Sequence, residues 1–270
     1  MIALFNHFAF EFKAGLRDST LLLMNYLFPL VFYALMGLVM VQVNPPFAEA
    51  LIPAMVIFAT MASTLLGLPG PLVESREAGI YRSYKVNGVP ALSIVLIPAL
   101  TTSFHVLIVS TFIALTGKPL FGGALPVNWI AFVLITLLGV FTCTSLGALI
   151  GVVAGDSRSV VLLSQLVFLP SMLLGGLMVP LSLLPSSVHP FSLLLPAAHA
   201  MQAYTGFAYG QETVVAPLIS ALVLGISGLL SFGLAIHLFN WDSRNSSRRG
   251  HSLMALLVIV PYLIALVVLI

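Results

Sequence analysis

Charge is scarce in this chain. Asp, Glu, Lys and Arg together make up 7% of its 270 residues, whereas soluble domains carry roughly a quarter. So few charges cannot cover a water-facing surface, which excludes an ordinary soluble globular domain. The longest basic run is Arg248-Arg249, which flanks an apolar segment, so the electrostatic footprint of a nucleic-acid binder is missing. Cysteine is nearly absent as well. With Cys143 as the single thiol, there is no disulfide framework and no metal-type Cys spacing. No G-x-x-x-x-G-K-[ST] phosphate loop occurs, no repeat period is evident, and no polar linker separates two domains. The first residues lack the short apolar core and small-residue cleavage site of a signal peptide, so the first apolar span is expected to be retained.

What remains is hydrophobic: 60% of the residues, arranged in runs close to the roughly 20 residues needed to cross a bilayer. Spans are predicted over 20–42, 51–72, 91–116, 129–154, 159–179 and 214–239, with a further run over 253–270. None of these segments contains Asp, Glu, Lys or Arg, as the cost of a charge in hydrocarbon requires. If the N-terminus is cytoplasmic, nine of the ten Lys and Arg fall on the cytoplasmic side and only Lys118 falls outside. The positive-inside bias therefore predicts that orientation.

Three segments depart from plain spans. Between residues 2 and 18, Phe5, Phe8, Phe12 and Leu16 share one helical face while His7, Glu11 and Asp18 share another, the pattern of a helix lying in the membrane interface. Residues 74–90 form the most charged stretch and are long for a simple connection. Residues 180–211 are too apolar for a solvated loop yet are broken by Pro180, Pro185, Pro190 and Pro196. Non-helical backbone at membrane depth must be buried in protein or line a cavity, so two short helices dipping back into the outer leaflet are expected there.

Together these features resemble the permease subunit of type-2 ABC (ATP-binding cassette) exporters. The resemblance rests on E-S-R-E-A-G-I-Y-R-S-Y-K-V-N-G-V-P from Glu74 to Pro90, on G-G-L-M-V-P-L-S-L-L-P from Gly175 to Pro185, and on H-P-F-S-L-L-L-P-A-A-H-A from His189 to Ala200. It covers about residues 2–240 and implies an all-α integral membrane fold. That fold has an N-terminal interfacial helix, then six core transmembrane helices with a re-entrant outer hairpin before the sixth. The run over 253–270 departs from the family pattern. It is read as an additional seventh span after a basic linker, which divides the chain into a permease domain (1–240) and an extension (241–270).

The resemblance also implies a mechanism. The chain would hold no cofactor, and ATP and Mg would bind a separate nucleotide-binding ATPase subunit. Residues 74–90 would be the segment coupling the two, with Glu74, Arg76 and Glu77 making charged contacts. Tyr81, Tyr84 and Val86 would be apolar anchors, Gly79 would allow close approach, and Arg82, Lys85 and Pro90 complete the segment. A second permease copy or a related chain would complete the path. Gly139, Ser145, Gly147 and Gly151 are small enough to pack helices, either within one chain or between two. The scarcity of intramembrane charge points to a lipophilic or amphipathic cargo, with Gln165, Phe168 and His105 as candidate path residues. The expected home is the plasma (inner) membrane.

Two other classes compete with this reading. A secondary carrier or an assembly factor would need no ATP coupling, but the intramembrane ionisable residues and inverted repeat usual in carriers are not evident. Gly225-Ile226-Ser227-Gly228 matches a G-x-S-G string. An intramembrane serine protease would need a histidine within reach of Ser227. His237 lies ten residues on along the same helix, roughly 15 Å along the axis, so His105 or His199 would have to approach from elsewhere.

Overall fold

The protein is seen in a computed structural model, which describes residues 12–13, 15, 17–179, 181, 185, 187–242 and 250–269. Among the described residues it is all helical, without a strand. Six of the described helices are long and apolar enough to cross a membrane: α1 (Ser19–Val43), α2 (Phe47–Glu77), α4 (Ala91–Phe121), α5 (Trp129–Val153), α6 (Ser157–Leu174) and α9 (Pro217–Leu238). Between them stand the short helices α3 (Ile80–Val86), α7 (His189–Ser192) and α8 (Pro196–Ala203). A 3₁₀ stretch, Ser252–Ile259, leads into α10 (Val260–Leu269). The chain is a multi-pass membrane protein.

Local chemistry sets the helix ends. Asp18 accepts from the backbone N–H of Thr20 at 2.8 Å to start α1, and Asn128 accepts from Ala131 at 3.0 Å to start α5, each satisfying an orphan donor of the first turn. Gly122, at φ 72°, terminates α4 in the left-handed conformation that glycine adopts without strain. Pro196 and Pro217 open α8 and α9, where the missing N–H would have had no helical partner. These signals account for differences from the sequence reading. α6 stops at Leu174 rather than 179 because Gly175 and the left-handed Gly176 (φ 84°) follow, and α9 starts at Pro217 rather than 214.

The largest difference lies at 74–90. α2 does not end near Leu72 but continues through Glu77, so Glu74, Arg76 and Glu77 stand on its last turns. The segment is therefore mostly helical rather than a loop.

Helix α2 occupies the centre of the bundle, with 94% of its apolar window buried, against 22% in each of α1 and α6. Phe58 joins three helices, stacking on Phe32 of α1 with ring centroids 3.9 Å apart and lying 5.7 Å from Phe168 of α6. Wide π-turns interrupt α1 at Leu23–Leu27 and α2 at Ala62–Gly67. Each precedes a proline, Pro29 and Pro69, whose ring and missing N–H displace the regular bonding of the turn before it. A further π-turn in α1, Met36–Met40, has no such proline.

Small residues form the tightest seams. A Cβ placed on Gly147 of α5 would lie 2.0 Å from the Thr64 carbonyl oxygen of α2, and one on Gly151 would lie 2.9 Å from the Leu72 side chain. Gly147 and Gly151 therefore join helices within one chain, whereas Gly139 meets nothing within 4 Å. Gly228 of α9 lies against Phe141 and Thr142, and the Thr142 hydroxyl donates to the Leu224 carbonyl at 2.9 Å.

The C-terminal stretch runs antiparallel to α9. Val258 and Met254 pack with Ala235 and Leu238, while Tyr262 and Ala265 pack with Val223 and Ile219. Eight 3₁₀ residues at about 2.0 Å each reach about 16 Å, further than the same residues in an α-helix. Most of the expected N-terminal interfacial helix falls outside the described residues.

Candidate functional site

The charged residues 74–90 gather at one end of the bundle, with the α5–α6 junction and the end of α9 beside them. Arg76 decides the local geometry. It lies on the inward face of α2 and is 4% exposed. Its guanidinium donates to the carbonyl oxygens of Val152 (2.8 Å), Gly151 (3.5 Å) and Ala154. These belong to the last turn of α5 and the residue that follows it, where carbonyls lack helical partners and carry the negative end of the helix dipole. A hydrogen bond to a charged group contributes about 1.5–3 kcal/mol, so this grip is a substantial local restraint. Arg76 thus bonds within the chain, whereas Glu74 and Glu77 are exposed.

Ala78 and Gly79 then turn the chain. Gly79 is left-handed at φ 77°, a conformation that favours glycine, and α3 starts at the next residue. One face of α3 is anchored. Tyr81 is 5% exposed and packs on Phe239, with centroids 5.6 Å apart, and Tyr84 lies half-buried beside it. Arg82 reaches Asp242, beyond α9, at 2.6 Å. The other face is open: Ile80 is 43% and Val86 87% exposed, and Ser83, Lys85 and Asn87 are exposed with them. Asn87 donates back to the Ser83 carbonyl at 2.8 Å, the left-handed Gly88 follows, and exposed Pro90 caps the start of α4. Apolar Val86 and Ile80 beside Lys85 and Glu77 form a mixed surface, suited to a partner protein's groove.

The expected anchors thus divide between two directions. Val86 faces out, while Tyr81 faces in and fixes α3 to α9. Ile80 is the exposed apolar residue that the sequence reading passed over. Its place directly after the helix-breaking Gly79 was the available signal.

The candidate path residues do not converge. Gln165 and Phe168 lie on α6, Phe168 buried against Phe58 and Gln165 half-buried with its carbonyl oxygen unpaired. His105 lies away from them on α4. It is 3% exposed, bonded to the Tyr26 hydroxyl of α1 at 2.5 Å, and stacked on Phe12 at 4.8 Å. It joins the described part of the N-terminal segment to the bundle.

At the opposite end, Pro190 and Pro196 sit in the first turns of α7 and α8, and Pro185 is exposed ahead of them. Pro180 lies outside the described residues. Every residue of α8 is buried. His199 bonds the Leu193 carbonyl at 2.9 Å and the Ser220 hydroxyl at 3.3 Å. The carbonyl can only accept, so that nitrogen carries the proton and the Ser220 hydroxyl donates to the other. His199 therefore meets Ser220 rather than Ser227. Both Ser220 and Ser227 are wholly buried, which fits a packing role for the G-x-S-G string. A cavity of about 320 Å³ at this end is lined by Glu49, Gln202, Thr205, Tyr209, Gln211 and Glu212 among others. Its two carboxylates were not singled out from sequence, because they stand far apart along the chain.

No curated protein and no solved structure matches the chain. The family model described as ABC-2 type transporter matches residues 4–209, which takes in α1 to α6, the coupling candidate and α8. With six apolar helices and more than half of its length matched, the chain belongs to the ABC-2 type transporter family.

Proposed function

We propose that this permease component of an ABC-type transporter works as an exporter subunit, driven by ATP bound with Mg on a separate nucleotide-binding subunit that seats on α3. The carrying observation is the two-faced construction of α3. Tyr81 and Arg82 fix it to the end of α9, and Ile80, Lys85 and Val86 present an open mixed surface. A helix whose only role was to connect α2 to α4 would have no need of that exposed apolar face.

The cargo is lipophilic or amphipathic. Formal charges lie near the ends of the spanning helices, which suits a solute that stays close to lipid. A second copy of the chain, or a related permease, covers part of α6, whose Leu162, Leu166 and Leu169 are exposed along one face. The N-terminus and α3 lie on the cytoplasmic side of a plasma membrane, following the Lys and Arg bias. The short helices α7 and α8 form an outer re-entrant hairpin, and the stretch ending in α10 crosses as a seventh span beside α9.

Affinity purification of the tagged chain in mild detergent, followed by an ATPase assay with and without vanadate, tests the reading. A co-purifying nucleotide-binding subunit with vanadate-sensitive turnover is the expected result. Recovery of the chain alone, without turnover across several detergents, would overturn it.

A further inference from the structure

We propose that Arg76 is a positioning residue that carries movement of α3 to the junction between α5 and α6, rather than a contact for the ATPase. The proposal rests on the reading that α3 seats on that subunit. Only Ala78 and Gly79 separate α3 from α2, and Arg76 lies just before them. Its guanidinium holds the carbonyls of Gly151, Val152 and Ala154. Below that grip, Gly147 and Gly151 bring α5 directly against α2, with Thr64 and Pro69 carbonyl oxygens in the contact. The Leu72 side chain shares the contact at Gly151, but at Gly147 the nearest atoms are the Thr64 backbone, which cannot yield by changing rotamer, and closely packed interfaces transmit strain. The contact continues into α6. Val73, Ala154 and Val160 are buried together, and Asp156 caps α6 by accepting from the Ser159 N–H at 2.7 Å.

Tyr81 packs on Phe239 and ties α3 to the end of α9 rather than to the α5–α6 junction, and the remaining attachment is softer. Arg82 and Asp242 form an ion pair with 50% and 23% of their side chains exposed, a kind that contributes little to rigidity. Movement of α3 about Gly79 therefore reaches the α5–α6 junction through Arg76. The element it biases is the α5–α6 junction, the start of the helix bearing Gln165 and Phe168. A coupling route needs such a contiguous set of contacts and a direct test.

The test uses the complex with its co-purifying ATPase in a Cys143→Ser background. One environment-sensitive fluorophore is placed through Ser83→Cys on α3, and in a separate variant another through Gly155→Cys at the junction. Both positions are exposed, and a Cβ at Gly155 meets nothing within 4 Å. With MgATP and vanadate both fluorophores should respond. Arg76→Met should leave the response at position 83 and abolish it at position 155, and Arg76→Lys, which keeps the charge and one donor group, should restore part of it. A position-155 response that survives Arg76→Met overturns the inference alone, as does a parent complex in which only position 83 responds. Loss of the position-83 response in Arg76→Met also overturns it, because Arg76 would then be needed for seating itself. A parent complex in which neither position responds, or from which no ATPase co-purifies, overturns the coupling reading and this inference with it.

Discussion

Helices α2 and α6 are both apolar spans, yet they stand in opposite surroundings. α2 is enclosed on all sides, whereas α6 exposes Val161, Leu162, Leu166, Leu169 and Leu173 along one face. In water such a difference would be written in the sequence as a polar stripe. In lipid the solvent is as apolar as the core, so burial against protein is marked instead by small residues and close backbone approach. α2 meets Gly147 and Gly151, while the exposed face of α6 meets no such seam.

The sharpest way to break this contrast is to fill the seam. Gly147→Leu would drive a side chain into the Thr64 carbonyl, which lies 2.0 Å from the position of a Cβ. Overpacking of a core typically costs 1–3 kcal/mol, and a backbone clash costs more, so a loss of about 3 kcal/mol or more is expected. The chain should then fail to elute as a monodisperse species in size-exclusion chromatography. Gly139→Leu on the same helix meets open space and should leave the profile unchanged.

Arg76→Met ranks second. It removes the donors to the end of α5 and leaves those carbonyls unsatisfied, at an expected cost of about 2–4 kcal/mol. Thermal unfolding in detergent measures it, with Arg76→Lys falling between the mutant and the parent. If Arg76→Met were as stable as the parent, α2 would owe its place to apolar packing alone.

The spans themselves were legible because the bilayer imposes a length and forbids internal charge. All six lie within a few residues of their predicted places, with the errors at ends set by Gly175, Pro217 and the continuation of α2. The direction of each side chain at the charged segment was not legible. Glu74, Arg76 and Glu77 read as one cluster, and only the helical phase of α2 turns Arg76 inward while its neighbours face out. Tyr81 and Val86 likewise differ by their place on α3, which depends on where Gly79 restarts the helix. The partners of Gly147 and Gly151 were ambiguous for a related reason: small residues mark a close contact without naming which helix fills it. Glu49 and Glu212 lie at one cavity through folding alone.

A smaller effect is expected at the start of α6, which leans on a local device where α2 leans on packing. The Asp156 carboxyl is held below its ordinary value of 3.8, chiefly by hydrogen bonds from Ser159, with the nearby Arg158 charge adding to them. Its folded pKa is depressed. The stabilisation is therefore present above the unfolded value and is lost as pH falls through the folded one. Hydrogen-exchange protection of the first turn of α6, taken relative to the intrinsic exchange rate at each pH, should fall as the pH is lowered through that range. Asp156→Asn, whose amide oxygen can still cap the helix, should remove that pH dependence while keeping most of the protection.

The smallest effect on the single chain is expected at Leu166, which is 70% exposed. Leu166→Ala empties no core site, so the thermal stability of the isolated chain should stay within about 0.5 kcal/mol of the parent. The same change separates lipid from a second copy as the neighbour of this face. Lipid chains are fluid and refill the space left by a leucine, whereas a packed helix partner loses dispersion contacts that nothing replaces. A lowered dimer fraction in cross-linking from bilayers, without a change in monomer stability, is the expected outcome. An unchanged dimer fraction would leave α6 facing lipid at this position and would place the second copy elsewhere.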